Sequence, residues 1–140
     1  LDKLSPASFL ATAAGILGHT MPAVEVEEAD WDRAFAVNVK RTWLAAKAFV
    51  PQIRQAGRGA VVTIASTAGL SGSAHLRTYS ATTCAVVMLS RSLTLAHGPE
   101  GIRVNCLCPG SIETPMLIVT FDAAGDAEDR AKLVEQFLAR

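Results

Sequence analysis

Three short, nearly uncharged apolar runs dominate the sequence: Ser8–Ala14, Ala60–Ser66 and Ile102–Cys108. Each ends in turn chemistry, at Gly15, Gly69 and Pro109-Gly110 respectively. Each is about strand length, and Val61-Val62-Thr63-Ile64 is β-branched throughout, which suits a pleated strand better than a helix. Near-continuous apolar runs, unlike alternating ones, predict strands buried on both faces, as in a parallel sheet. Helical patterns separate them. From Glu27 to Ala56, Trp31, Phe35, Val39, Leu44, Phe49 and Ile53 recur at mostly helical spacing, with Pro51 expected to kink or restart the helix. A second helix is expected from about Arg77 to His97, closed by Gly98-Pro99, and a third over Asp126–Arg140. Strand, helix, strand, helix, strand is a βαβαβ succession, and the fold class is α/β.

Composition limits what such a sheet can serve. The 140 residues carry 13 Lys+Arg against 13 Asp+Glu, and a neutral chain does not bind nucleic acid or acidic membrane by bulk electrostatics. The uncharged stretch Leu4–Val24 is long enough to span a bilayer, but Pro6, Gly15, Gly18, His19 and Pro22 interrupt it, so no membrane helix is expected. No secretory signal is visible, and no repeat or linker divides the chain. Three cysteines, Cys84, Cys106 and Cys108, without CxxC spacing, suggest reduced thiols in a cytoplasmic setting. Cys106 and Cys108 share one face of a strand, with core packing favoured over metal ligation because no histidine lies nearby; no metal is expected.

Ligands of open α/β sheets bind beyond the carboxyl ends of the strands. The segments of interest are therefore Gly15 onward, Ser66–Ser73 and Pro109–Met116. No GxGxxG or GxxxxGK[ST] pattern occurs, and Gly57-x-Gly59 reads as a turn. Ser66 ends the second strand, Tyr79 opens the second helix and Asn38 lies in the first helical region. A phenol as acid/base, a hydroxyl to orient a substrate oxygen and an amide to hold a water make a proton-transfer set. Singly, each residue also has an ordinary reading as turn, packing or surface residue. An unrelated flavodoxin-like binding module would leave the Ser66–Tyr79 spacing and the Pro109–Thr114 segment unexplained.

In combination the motifs resemble those of the short-chain dehydrogenase/reductase family. They comprise Ala13-Ala14-Gly15-Ile16, Asp30-Trp31-Asp32 with Asn38-Val39, Ile64-Ala65-Ser66 with Ala68-Gly69, and Tyr79-Ser80-Ala81-Thr82. Arg103-Val104-Asn105, Pro109-Gly110 and Thr114-Pro115 complete the series, in family order from about Phe9 to Met116. The resemblance implies a Rossmann-like, doubly wound parallel sheet with flanking helices, residues 1–140 being part of a domain that binds NAD or NADP. It implies hydride transfer between nicotinamide and a carbonyl/alcohol substrate. Tyr79 is then the acid/base, Ser66 the hydrogen-bond partner of the reacting oxygen and Asn38 the anchor of a relay water. Ala14 and Gly15 line the adenosine side of the cofactor, and Pro109, Gly110, Ile112 and Thr114 its nicotinamide end. A homodimer or homotetramer is implied, formed by the helices at about Arg41–Ile53 and Tyr79–His97.

The sequence departs from the family pattern at three places. The family's active-site lysine, four residues after the tyrosine, is Thr83 here. A cation on that helix face lowers the phenol's pKa, so without one Tyr79 is expected to remain a neutral phenol near pH 7. Thr82 and Val86 supply no substitute, and Arg77 is expected to point elsewhere. The Asn-Asn pair that braces the central strand is Thr12-Ala13. Finally, the chain corresponds to the middle of the family pattern, after its first three strands and before its last. The glycine-rich pyrophosphate loop and the residue that selects NAD or NADP in the family fall outside it. An exposed apolar edge at Phe9–Ala14 and self-association are expected. The alternative to a redox enzyme is a non-catalytic scaffold or fragment of this type acting through oligomerisation.

Overall fold

The computed structural model describes residues 6–122 and 127–138 and comprises two compact units, Leu1–Cys108 and Pro109–Arg140. The first unit runs β1 (Phe9–Thr12), a 3-10 turn (Ala23–Glu25), α1 (Glu28–Phe35), a π-helical turn (Ala36–Lys40) and α2 (Arg41–Gln55). It continues through β2 (Gly59–Ile64), α3 (Ala68–Ser71), α4 (Arg77–His97), a 3-10 turn (Gly98–Glu100) and β3 (Ile102–Leu107). β1 and β3 fall inside their apolar runs, β2 starts one residue ahead of its run at Gly59, and the three form one parallel sheet in the order β1-β2-β3. This is the α/β, Rossmann-like arrangement expected.

The register explains the core. Leu10 lies opposite Val61 and Val61 opposite Val104, so one row of apolar side chains crosses the sheet. That row and Ile102 pack against Ala46, Val50 and Ile53 of α2. Ile53 and Val61 are fully buried, and removing a side chain of that size from water stabilises a fold by about 1.5–3 kcal/mol. Helix α4 docks on the same face through polar contacts. The Thr63 and Ser90 hydroxyls share a buried hydrogen bond of 2.7 Å, and Thr94 Oγ1 donates to the Val104 carbonyl at 3.1 Å.

The other face of the sheet differs from expectation. β3 alternates along Ile102–Asn105, with Ile102 and Val104 buried and Arg103 and Asn105 exposed. Phe9 and Leu107 are more than half exposed. Both faces carry enough apolar residues to be covered, yet within this unit α2 and α4 form a layer on one face only.

The long helical pattern is continuous from α1 through α2, with its irregularity at Asn38 and not at the proline. Pro51 stands inside α2. Its ring leaves the Lys47 carbonyl without an intrahelical donor, but both residues lie on the exposed side while Ala46, Val50 and Ile53 hold the helix to the sheet. The turn after α2 must be tight: a Cβ on Gly59 would fall 2.3 Å from the Ser8 carbonyl oxygen and 2.4 Å from Ile53 Cγ2. Helix α4 ends at His97, where Gly98-Pro99 had indicated. Beyond it Glu100 accepts a forked hydrogen bond from Arg54 and a contact from His97, tying the end of α2 to the turn before β3.

The second unit holds α5 (Pro115–Asp122) and α6 (Ala127–Leu138), which contact each other. α5 was not expected as a helix. Its signal is Thr114-Pro115, a proline at the first helical position, and the Thr114 carbonyl accepts from the N–H groups of Leu117 and Ile118 at 3.0 Å. α6 corresponds to the expected third helix, whose Asp126, Ala139 and Arg140 lie outside the described residues. An exposed Glu128–Lys132 pair at 2.7 Å follows the helical i, i+4 spacing. No helix among the described residues is long and apolar enough to cross a membrane.

Candidate active site

Ser66 and Tyr79 come together in the first unit. Ser66 follows β2, where the chain turns into α3, and its Oγ accepts a hydrogen bond from the Ala68 N–H at 3.1 Å. That contact orients the hydroxyl, which lies near enough to the Tyr79 phenol to favour its ionised form. Burial is the larger influence and pushes the Tyr79 phenol above its ordinary value of 10.0, while the Ser66 hydrogen bond pulls it part of the way back. Tyr79 is therefore a neutral phenol at pH 7, as the missing lysine led us to expect.

Thr83 is built into the helix packing. It is 4% exposed, and its hydroxyl donates to the Tyr79 carbonyl at 2.8 Å and lies 3.2 Å from the Ser80 carbonyl. Gly69 of α3 lies hard against it: a Cβ there would sit 2.6 Å from the Cys84 nitrogen and 2.8 Å from Thr83 Oγ1. This close approach pins α3, and with it the Ser66 turn, to the helix that carries Tyr79. Arg77 does point elsewhere, its guanidinium donating to the Met21 carbonyl at 2.9 Å.

Asn38 occupies the π-helical turn, an irregularity frequently found at functional sites. It is buried and fully engaged with protein groups. Its Nδ2 donates to the Ile16 carbonyl and to Thr82 Oγ1, both at 2.9 Å, and its Oδ1 accepts from the Ile16 N–H at 2.8 Å. Its own carbonyl accepts from the Thr42 hydroxyl at 2.9 Å, and a carbonyl oxygen has a second lone pair. Thr82, wholly buried, passes the connection on by donating to the Tyr79 carbonyl at 2.8 Å. The chain leaving β1, the π turn and α4 are thereby tied into one network. Sequence reasoning weighed Thr82 only as a missing cation. Its value as a brace was legible in principle, since a threonine three residues after the tyrosine reaches back to the same turn.

Ala14 and Gly15 follow β1 and are exposed, and a Cβ on Gly15 would meet Asn38 Oδ1 at an ordinary 3.5 Å. Just before them, Thr12 Oγ1 is buried with no hydrogen-bond partner, the physical trace of replacing the family's bracing side chain. Pro109, Gly110, Ile112 and Thr114 belong to the second unit, in the non-helical segment that leads into α5. The small residues after β1 fit the adenosine side of a dinucleotide, which needs close backbone approach. The helix face at Tyr79 fits the nicotinamide ribose less well, because Thr82, Thr83 and Val86 include no cation.

Sheet, Ser66–Tyr79 pair and buried Asn38 together define an α/β protein with a candidate site at the carboxyl end of its central strand. The chain belongs to the short chain dehydrogenase family, whose model matches residues 1–125. It is 35% identical over 132 residues to dehydrogenase/reductase SDR family member 6 of Aquarana catesbeiana, covering 94% of this chain and 52% of that protein. It is also 41% identical over 110 residues to inactive 2-(S)-hydroxypropyl-CoM dehydrogenase 2 of Xanthobacter autotrophicus, covering 78% of this chain and 47% of that one. Among solved structures it is similar to ribose-5-phosphate isomerase from Brucella melitensis 16M. The TM-score is 0.81 at 34% identity, over 87% of this chain and 47% of that one. The chain thus spans about half the length of the curated relatives it matches.

Proposed function

We propose that residues 1–140 form part of an NAD- or NADP-binding domain and supply the proton-transfer half of a carbonyl/alcohol oxidoreductase. The nearness of the Ser66 hydroxyl to the Tyr79 phenol carries this reading, since it brings two hydroxyls together beyond the end of β2. In this reading Tyr79 gives a proton to the carbonyl oxygen while Ser66 hydrogen-bonds the same atom. Asn38 anchors a relay water. Ala14 and Gly15 line the adenosine of the cofactor, and Pro109, Gly110, Ile112 and Thr114 its nicotinamide, which supplies the hydride. Because the phenol is held above its ordinary pKa, it keeps its proton at neutral pH and is seldom available there as a base.

A small carbonyl compound, a cytoplasmic setting and a homodimer or homotetramer complete the proposal. Trp43 and Leu44 on α2 and Met88 and Leu95 on α4 support the last, being large apolar side chains left substantially exposed. A second reading, a non-catalytic scaffold acting through oligomerisation, is favoured by the buried, back-bonded Thr83 and by a relative whose name declares it inactive. Titration of the purified chain with NADH and NADPH by fluorescence separates the two. Micromolar binding, together with a Tyr79→Phe variant that binds equally but reduces no carbonyl compound, supports the enzyme; absence of binding supports the scaffold.

A further inference from the structure

Outside this site, two cysteines stand close together among the described residues, at the end of β3 and just beyond it. Residues two apart in a strand point to the same face, and Cys106 and Cys108 both pack against the cluster of Ala65, Val86 and Val87 beneath α4. Both are partly exposed. The two sulfurs lie close enough to act on one another, and the Cys106 Sγ also reaches the Leu107 carbonyl at 3.9 Å. Burial, and then the neighbouring Cys106 sulfur, raise the Cys108 thiol above its usual range. Two such thiols suit a ligand that takes up both sulfurs and releases their protons. A direct disulfide is disfavoured by the span of about 6.6 Å expected between alternate Cα atoms of an extended strand, near the upper limit of disulfide geometry. Among the described residues no third histidine, cysteine or carboxylate joins them, so a four-ligand zinc cage is not built here either.

We propose that Cys106 and Cys108 form a chelating dithiol for a soft, thiophilic centre that needs only two protein sulfurs, of which a trivalent organoarsenical is the type. On binding an arsonous acid, two S–As bonds form and two As–O bonds break. The two thiol protons leave with the two hydroxyls as water, and arsenic stays trivalent.

The probe is phenylarsonous acid added to the full chain, read by intact mass, iodoacetamide labelling and thermal melting. The expected result is a single adduct formed with loss of two waters, with one of the three thiols, that of Cys84, still open to labelling. The adduct should resist excess glutathione, yield to dithiothreitol and be lost in both Cys106→Ser and Cys108→Ser. The melting temperature should rise, because a ligand that prefers the folded arrangement stabilises it. No adduct, an adduct retained at full strength by either serine variant, or a melting temperature that falls or stays unchanged on binding overturns the proposal. None of these readouts depends on redox activity, so failure here is distinct from failure of the proposed function.

Discussion

Tyr79 is the sole tyrosine in the chain, so the rise of tyrosinate absorbance with pH reports on it alone. Its midpoint is expected above 10.0, the direction that burial sets. Ser66→Ala removes the hydrogen bond that favours the phenolate and should move the midpoint higher still, whereas Thr83→Lys should move it down. A midpoint below 10.0 in the unaltered chain would contradict this account of the site. The linkage has a definite sign. A phenol whose folded-state pKa is raised contributes stability in full below pH 10, and that contribution is lost as pH climbs through the folded value. Alkaline melting curves should therefore decline less steeply in Tyr79→Phe than in the parent. At this scale the sequence was informative, because Ser66, Tyr79 and the missing lysine could be read from spacing and resemblance. What spacing could not reveal is that Thr83 turns inward onto its own helix, since that depends on how closely Gly69 approaches.

At the scale of elements, the π turn and the α3–α4 contact hold the site together. Asn38→Ala leaves the Ile16 N–H and carbonyl without partners and frees Thr82 Oγ1 of its donor. Each unsatisfied buried polar group costs about 1–3 kcal/mol, so a loss of at least that order is expected in urea unfolding, with the far-UV spectrum retained. Gly69→Ala places a methyl group against the backbone of α4 and should cost about 1–3 kcal/mol as overpacking, lowering both the melting temperature and any activity. An alanine at 69 that is neutral by both measures would remove our account of how the Ser66 turn is fixed. The helix over Glu28–Gln55 was legible as a pattern, but the position of its irregularity was not. Proline is a strong local signal, yet Pro51 lies where only exposed groups lose a bond, while Asn38 distorts the helix through partners 22 and 44 residues away. Such long-range bonds leave no periodicity to read.

For the whole molecule, the parallel sheet was legible in the apolar runs, whereas its one-sided covering was not. A run such as Ala60–Ser66 states that both faces of a strand can be buried, but nothing in it says which helices are at hand to do so. With Phe9 and Leu107 exposed and Trp43, Leu44, Met88 and Leu95 uncovered on the helices, concentration-dependent association is expected by light scattering. Leu95→Glu should weaken association if the helical surface mediates it, and Phe9→Lys should do so if the sheet edge does. A monodisperse monomer in the unaltered chain would count against both. The bare side of the sheet is also graded from one edge to the other. In register across it lie Phe9, the buried Ala60 and Arg103, then Ala11, Val62 and Asn105. Greasy at one margin and wet at the other, this surface asks for an asymmetric cover. A neighbour lying over β1 and β2 need bring only hydrocarbon, whereas one that reaches β3 must carry a counter-charge for Arg103 and an amide partner for Asn105, or leave them to water.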